Sequence, residues 1–339
     1  MKSILNLTHA VSHQRQLLAG SIALAMASFP LIAAAEDSEK CNPDGWPHDT
    51  IELVSHASAG GGTDTTMRMW MDGASEQIDE NITVVYKQGG GARAAQQYMA
   101  TRGVDCYTIV ALTQTHLYTI ARGKSPIGID DIRGLVRAMD DASVIVVRAD
   151  SPYQTYEELV AASREEALTW GVAQVGGTEH IGIERWADKA ELDARVVPFG
   201  SGGDMVAALR SGAVDATVAN ISEALPLIQE GDIHALALLS EERVGELPDV
   251  PSTYEFDHGV HVSTTRGYYV LANTPDEIVE QMESMILAGM ATDRFHEYLI
   301  NSGLDPDKNI AGADVWDAQI KEEYKASYAA MDKLGLLDN

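Results

Sequence analysis

Cysteine, basic side chains and long apolar runs are all scarce in this 339-residue sequence. Lysine and arginine number 24 against 51 aspartate and glutamate residues, which gives a formal charge of −27. A protein this acidic repels phosphate backbones, so nucleic acid is not expected as a partner. Beyond the N-terminal segment, no apolar stretch approaches the roughly 20 residues that a membrane-spanning helix needs. The bulk of the chain is therefore expected to fold in water.

Common catalytic motifs are missing as well. The sequence has no G-x-S-x-G nucleophile elbow, no H-E-x-x-H pair and no cysteine in a setting typical of a nucleophile. An enzyme such as a hydrolase is therefore the weaker hypothesis, and a turnover assay would test it. We expect no cofactor and no metal.

The first 35 residues have the pattern of an export signal. Two basic residues precede an apolar run over residues 17–31, which is followed by Ala33 and Ala35 in an A-x-A pattern. We place cleavage after Ala35 and predict a periplasmic protein. Cleavage would remove two basic residues, leaving 22 basic against 51 acidic residues and a formal charge of −29.

Two other interpretations of this segment stay open. It would anchor the chain in a membrane if it were not cleaved, although small residues and Pro30 interrupt the apolar run. A lipid anchor at Cys41 is disfavoured because polar residues precede it.

The two cysteines, Cys41 and Cys106, both fall in the part expected to be exported. An oxidising compartment would allow them to form a disulfide. One precedes the first predicted strand and the other precedes the third, which makes proximity plausible. Such a bridge would stabilise the fold by about 4 kcal/mol through the entropy of the unfolded chain. Two unpaired buried thiols are the alternative.

Short β-rich runs alternate with helical patterns, which predicts an α/β fold with a largely parallel sheet. Residues 267–272 are predicted to form a strand that returns to the first sheet, and the segment from residue 275 onward is helical and amphipathic. The predicted strands cover residues 51–56, 82–87, 107–112, 143–149, 169–174, 195–199 and 216–219. We expect two lobes with a cleft between them, made of residues 41–142 plus 262–339 and of residues 143–261.

The most informative motif is the first glycine loop, residues 55–64, which reads SHASAGGGTD between a predicted strand and a helix. Glycines let backbone amides approach a ligand, and a helix start adds unpaired donors and a positive dipole. A nucleotide-binding loop would need Gly-Lys-Ser/Thr here. The loop therefore predicts an anion site without phosphate chemistry, and a simple capped turn is the alternative. The candidate ligand-binding residues are Ser58, Ala59, Gly60, Gly61, Gly62, Thr63 and Asp64.

A second glycine loop of similar design, residues 174–180, also joins a predicted strand to a helix. Its candidate residues are Gly177, Thr178 and His180, although a capping or packing role is the alternative for the histidine. Two such loops would face each other across the cleft.

Other candidates lie at strand ends, where open α/β sheets bind ligands. They are Thr113, Gln114, Ser201 and Asn220, with simple loop polarity or a capped turn as the alternative. Arg266 would pair bidentately with a carboxylate, unless it forms a surface ion pair.

At these residues the sequence strongly resembles the solute receptors of tripartite tricarboxylate transporters, also called Bug-type receptors. The family's Ala-Ala-Gly-Gly-Gly-Thr-Asp loop is nearly reproduced by residues 58–64, with Ser58 in place of one alanine. The second loop matches through Gly177, Thr178 and His180, and residues 247–251 read LPDVP, a further family signature. The family's Pro-Asp-Gly-Tyr-Thr is altered to VDCYT at residues 104–108.

The resemblance implies a periplasmic-binding-protein fold of type II, in which two lobes close on a small organic carboxylate. Backbone amides of the two glycine loops would hold this ligand, a mono- or dicarboxylate with or without an aromatic ring. The receptor would deliver it to membrane permease subunits of a secondary transporter; a sensor for a membrane kinase is the alternative. The sequence departs from the family where selectivity is expected, because Thr265 and Arg266 replace aromatic residues and Glu179 replaces a small polar one.

Overall fold

The computed structural model describes residues 40–76, 78–79, 81–333 and 335–337. The predicted export signal, residues 1–35, lies outside these ranges. Within them, no helix is both long and apolar enough to cross a membrane.

The first sheet consists of β1, β2, β3, β9 and the first half of β4. The strand β1 pairs in parallel with β2 and β3, and β3 pairs antiparallel with β9. All five residues of β3 are buried, as expected for a central strand that is covered on both faces. The strands are β1 (Ile51–Ser55), β2 (Ile82–Tyr86), β3 (Thr108–Leu112), β4 (Ile132–Arg148) and β9 (Ser263–Leu271).

The second sheet repeats this design. The strand β5 pairs in parallel with β6 and β7, while the second half of β4 pairs antiparallel with β7 and β8. The remaining strands are β5 (Thr169–Val172), β6 (Arg195–Pro198), β7 (Ala216–Asn220) and β8 (Ile233–Leu238).

The 17-residue strand β4 joins the two sheets. Its register with β9 runs from Ile132 opposite Leu271 to Ala142 opposite Ser263, and from Ser143 onward its partners are β7 and β8. The predicted lobe boundaries stay a proposal, which this change of partner at residues 142 and 143 supports. A largely parallel sheet was predicted, but β4 and β9 pair antiparallel because they carry the chain between the lobes.

Helices cover both sheets, and their apolar faces form the cores. One core packs Trp70, Phe295 and Trp316 against the first sheet, and the second sheet is covered on both faces. The helices are α1 (Gly62–Ala74), α2 (Arg93–Arg102), α3 (Gln114–Ala121), α4 (Tyr156–Glu165), α5 (Thr178–Ala190), α6 (Gly202–Arg210), α7 (Ile221–Glu230), α8 (Asp276–Met290), α9 (Asp293–Asn301), α10 (Pro306–Asn309) and α11 (Ala313–Lys333).

Cys41 and Cys106 form a disulfide, with their Cα atoms 5.4 Å apart, so this prediction is confirmed. The bridge ties the segment before β1 to the start of β3. Cys106 has a φ angle of +61°, a left-handed conformation that favours glycine. This cysteine occupies the glycine position of the altered family motif.

Candidate ligand-binding site

Five helices begin at one pocket between the two sheets. The residues before or within the first turns of α1, α3, α5, α6 and α7 contribute to its wall. The cavity has a volume of about 50 Å³, which holds a few water-sized groups and so suits a small solute. The lining residues are His56, Ala57, Gly61, Gly62, Thr63, Thr113, Thr115, Ala173, Gln174, Thr178, Glu179, Ser201, Gly202, Asn220, Glu223, Thr264 and Arg266.

The convergence of helix starts gives the pocket its electrostatic character. Each helix N-terminus carries a partial positive charge, roughly half of an elementary charge. The amides of a first turn have no acceptor within their own helix, and they point out of its N-terminal end. Such a cluster favours a carboxylate or another small anion.

The two glycine loops have the same backbone design. Gly61 and Gly177 are the N-caps of α1 and α5, and as glycines they have no side chain that could cap the helix. Each is preceded by a glycine with positive φ, +80° at Gly60 and +70° at Gly176. In each loop the N-cap amide donates to the carbonyl three residues earlier, at 3.3 and 3.1 Å. The two loops are therefore structural equivalents.

Glu223 of α7 reaches across the cleft to the first glycine loop. Its Oε1 accepts a hydrogen bond from the Gly62 amide at 3.1 Å. A Cβ atom at Gly62 or at Gly202 would overlap the Glu223 carboxylate, so this carboxylate fills the gap between the starts of α1 and α6. A second bond across the cleft runs from the Ser58 hydroxyl to the Gly200 carbonyl, at 2.9 Å.

Arg266 lies at the base of the pocket and is 3% exposed. Its Nη1 donates to Oδ2 of Asp141 at 2.6 Å, and its Nη2 lies 3.3 Å from Oδ1 of Asn220 and 3.5 Å from Oε1 of Glu223. Burial lowers the pKa of Arg266, but the Asp141 carboxylate outweighs burial and raises it overall. The ion pair considered for this arginine is thus present, in the interior instead of at the surface.

Two carboxyl groups face the pocket beside this ion pair. Burial raises the pKa of Glu179 to about 7, and the Glu223 carboxylate adds to the rise. Burial also raises the pKa of Glu223, while Arg266 opposes the rise. Asp141 and Glu223 both contact the Arg266 guanidinium, whereas Glu179 lies near enough for the charge of Arg266 to oppose the rise in its pKa.

Two neutral histidines lie at the pocket, where His56 is part of the lining and His116 packs behind it. The rings of His56 and His116 pack edge to face with centroids 4.5 Å apart. Burial lowers the pKa of His56 to about 4, helped by Arg266, and burial holds the pKa of His116 well below its usual value. His56 Nε2 lies 3.4 Å from the Thr113 hydroxyl. Near pH 7 both rings are therefore neutral, and His56 offers the pocket a neutral donor or acceptor.

Several buried polar atoms of the lining have no hydrogen-bond partner among the described residues. Buried polar groups are normally paired, so these atoms mark a place where a solute would bind. They are His56 Nδ1, Gln174 Oε1, Thr264 Oγ1 and Arg266 Nε.

Eight of the residues singled out in the sequence meet at this pocket, and the others lie just outside its lining. The lining contains Gly61, Gly62, Thr63, Thr113, Thr178, Ser201, Asn220 and Arg266. The residues outside the lining are Ser58, Ala59, Gly60, Asp64, Gln114, Gly177 and His180.

Three of the residues outside the lining have other contacts. Asp64 accepts from the Gly60 amide at 2.8 Å and forms an ion pair with Arg68. Gln114 donates to the Thr265 hydroxyl and lines a separate cavity. His180 accepts from the amide of Gly176 at 2.7 Å, which is the capping alternative considered for it.

Glu223 and Thr264 were missed as candidates by sequence reasoning. A signal existed for Glu223, because it follows Asn220 by three residues and helix periodicity puts the two on one face. His56 was also missed. A signal existed for it as well, because it directly follows β1 and lies inside the first glycine loop.

Comparisons with known proteins agree with this architecture. A protein from Cupriavidus necator described as "UPF0065 protein in gbd 5'region" is 26% identical over 94% of this chain and 95% of its own length. The periplasmic binding protein BugD superposes with a TM-score of 0.79 at 21% identity, covering 87% of this chain and all of BugD. MatC from Rhodopseudomonas palustris, solved with bound malate, superposes with a TM-score of 0.76 at 21% identity over 84% of this chain and 99% of MatC.

These structural neighbours confirm the predicted α/β fold of the periplasmic-binding-protein type with two lobes. The model for the tripartite tricarboxylate transporter family receptor matches residues 66–336. That range includes most of the pocket lining and both crossing strands. The chain therefore belongs to the receptor family of the tripartite tricarboxylate transporters.

Proposed function

We propose that this receptor captures a small organic carboxylate in the pocket and delivers it to membrane permease subunits of a tripartite transporter. The observation that carries the proposal is the convergence of five helix N-termini on one small cavity. The malate bound to the related MatC supports a carboxylate as ligand class. A periplasmic location and a cleaved export signal are part of the proposal.

The two glycine loops would act together. The first-turn amides of α1 and α5, with the hydroxyls of Thr63 and Thr178, would hold the carboxylate from the two lobes at once. A ligand that contacts both lobes favours the closed arrangement, because only that arrangement offers both sets of donors. Binding and closure are sufficient for delivery, so we propose that the protein catalyses no reaction.

A thermal-shift screen against mono-, di- and tricarboxylates and aromatic acids tests the ligand class. The full-length chain would be expressed with its own N-terminal segment and purified as the host processes it. A ligand stabilises the folded state by mass action, so a true ligand raises the Tm in a saturable way. Calorimetry would then confirm the affinity, and mass spectrometry of the recovered solute would test for turnover.

Two substitutions test the site itself. Thr63→Leu and Thr178→Leu would block the pocket, and we expect each to weaken the affinity about tenfold or more, or about 1.4 kcal/mol. Thr101→Leu, at an exposed position at the end of α2, is the matched control. Unchanged affinity in both pocket variants would argue against this site.

A further inference from the structure

Glu179 is a carboxyl group of the pocket that has no cation of its own. It lines the cavity from the first turn of α5. Among the described residues, no side chain forms an ion pair or a hydrogen bond with its carboxyl group. Arg266 is the one cationic side chain in the described lining, and its Nη1 already donates to Asp141 at 2.6 Å. Glu179 therefore faces the proposed anion site without a salt-bridge partner.

The other acidic residues in first turns at the pocket have such partners. Asp64 and Asp204 accept hydrogen bonds from neighbouring side chains, and neither lines the cavity. Glu223 accepts a hydrogen bond from the Gly62 amide at 3.1 Å. Hydrogen bonds to a carboxylate favour its ionised form. The carboxyl group of Glu179 has only its own backbone amide as a donor, so it is the one for which a proton costs least.

Groups from several elements surround Glu179. Glu223 of α7 raises its pKa, and Arg266 of β9 opposes this rise. Burial raises the pKa of Tyr118 in α3 to about 12, and the charges of Glu323 and Glu179 add to the rise. The remaining titratable or charged groups on this side of the pocket are His56, His116, Arg122, His180, Glu184 and Arg185.

None of these groups neutralises Glu179 by direct contact. Near pH 7 the three histidines are neutral, because burial lowers the pKa of each of them. The arginines, Arg266 included, each donate a hydrogen bond to another residue. The ionised form of Glu179 is therefore weakly stabilised.

A carboxylate ligand would bring a second negative charge close to Glu179. Unpartnered buried atoms such as His56 Nδ1 and Thr264 Oγ1 independently mark this cavity as the place of a ligand. A ligand that fills a cavity of about 50 Å³ leaves little room for water between two anions. Two carboxyl groups that share such a site do not both ionise, and one of them keeps a proton. Burial already raises the pKa of Glu179 to about 7, and a bound carboxylate would raise it further.

We propose that Glu179 is a ligand-binding residue that takes up one proton together with the ligand and, as a neutral acid, donates a hydrogen bond to the ligand's carboxylate. The proton comes from the solvent, and no covalent bond of the ligand changes. A hydrogen bond from a neutral acid to a carboxylate is charge-assisted and strong. This inference rests on the proposed function of the same pocket, and it adds a binding residue and a proton to it.

Calorimetry in two buffers counts the proton. The full-length chain, as processed by the host, is titrated with L-malate, adipate and benzoate in HEPES and in Tris at pH 8. These buffers release protons with different enthalpies, so the difference in binding enthalpy gives the number of protons taken up. For any acid that binds, we expect uptake of about half a proton to one proton. By linkage, the dissociation constant should then rise about three- to tenfold from pH 7.5 to pH 8.5.

Variants assign the proton to this residue. Glu179→Gln keeps a neutral donor at every pH, so it should take up no proton and bind with an affinity that changes less than about twofold from pH 7.5 to pH 8.5. Glu179→Ser should also take up no proton, and it gives the answer if circular dichroism and the Tm show that the first variant is misfolded. Asp188→Asn is the matched control, because it removes an exposed carboxylate from the same helix α5 outside the pocket lining, and it should keep the proton uptake.

The outcomes are distinguishable. Proton uptake that is lost in the folded Glu179 variants and kept in the control supports the inference. Binding without proton uptake overturns the inference and leaves the carboxylate receptor standing. Equal uptake in the unsubstituted protein and in the Glu179 variants places the proton on another group and overturns the inference as well. If none of the three acids binds at any of these pH values, the inference falls together with the proposed function.

Discussion

The two glycine loops are alike in backbone and different in surroundings. Both place a positive-φ glycine before a glycine N-cap, and both begin a helix that lines the pocket. The amide of Gly62 is bonded to Glu223 from the other lobe, whereas the second loop presents Glu179 from its own helix. A disulfide ties the segment before β1 to the start of β3 in the lobe of the first loop, whereas residues 143–261, which include the second loop, contain no cysteine. Local backbone geometry is therefore shared, while charge and rigidity depend on distant parts of the chain.

The largest effect is expected from a substitution that breaks the ion cluster of Arg266, Asp141 and Glu223 beside the first loop. Arg266→Met would leave the buried Asp141 and Glu223 without their cation, at a cost of about 3–5 kcal/mol in the free energy of unfolding. Urea denaturation measures this loss. Arg294→Met is the matched control, because its ion pair with Asp72 is exposed on both sides and should contribute less than about 1 kcal/mol. Similar losses of unfolding free energy in both variants would contradict the distinction between a buried ion cluster and an exposed ion pair.

The disulfide gives the next largest effect. Replacing both cysteines by serine should lower the free energy of unfolding by about 4 kcal/mol, because the bridge closes a loop of 65 residues. A variant with Cys41→Ser and Cys106→Gly should recover about 1 kcal/mol of this loss, since φ at residue 106 is +61°. Denaturation of the two double variants gives the comparison, and equal stability would rule out strain at this residue.

Alanine in place of one glycine of each loop compares the loops directly. At Gly62 a Cβ atom would overlap the Glu223 carboxylate and the Arg266 guanidinium. At Gly177 the nearest atom lies at 3.2 Å, which a small shift accommodates. We expect Gly62→Ala to weaken binding of the ligand found in the screen about tenfold, and Gly177→Ala to weaken it less than about threefold. Calorimetry decides, and equal losses would mean that the two loops have equivalent surroundings.

The smallest expected effect is the contribution of Glu179, in the second loop's helix, to the pH dependence of stability. The pKa of Glu179 is raised from 4.5 to about 7 in the folded protein, so the folded state holds this proton more tightly than the unfolded state. The resulting stability is present below pH 4.5 and is lost as the pH rises through 7. The full shift would correspond to about 3 kcal/mol, but Glu179 is partly exposed and solvent screens its charge, so Glu179→Gln should remove on the order of 1 kcal/mol of this pH dependence.

Denaturation of both proteins at pH 4.5 and pH 8 tests this prediction. Part of the slope should remain in the variant, because burial also raises the pKa of the neighbouring Glu223. An identical slope in the two proteins would show that Glu179 does not titrate differently on folding.

Most strands were predictable because their apolar runs are short and bounded by turns. The predicted ranges 51–56, 82–87 and 195–199 each exceed the observed strand by one residue. Only the second half of β4 was predicted, and β8 was missed. The first half of β4 contains charged residues such as Arg137, whose guanidinium bonds to the carbonyl of Asn309. Because the partners of such residues lie far away in the sequence, the sequence of the strand itself contains no local pattern that would predict it.

The sequence by itself determined the α/β fold and the two glycine loops, because apolar periodicity and glycine conformations act over a few neighbouring residues. It indicated the family through the resemblance of its loop motifs. Only the tertiary structure decided how the charges of the site are arranged. Arg266, Asp141 and Glu223 come from β9, β4 and α7, and whether an arginine meets a ligand or a buried carboxylate depends on what these elements bring together. Coulombic interactions in a buried site depend on distance and desolvation, and the fold sets both.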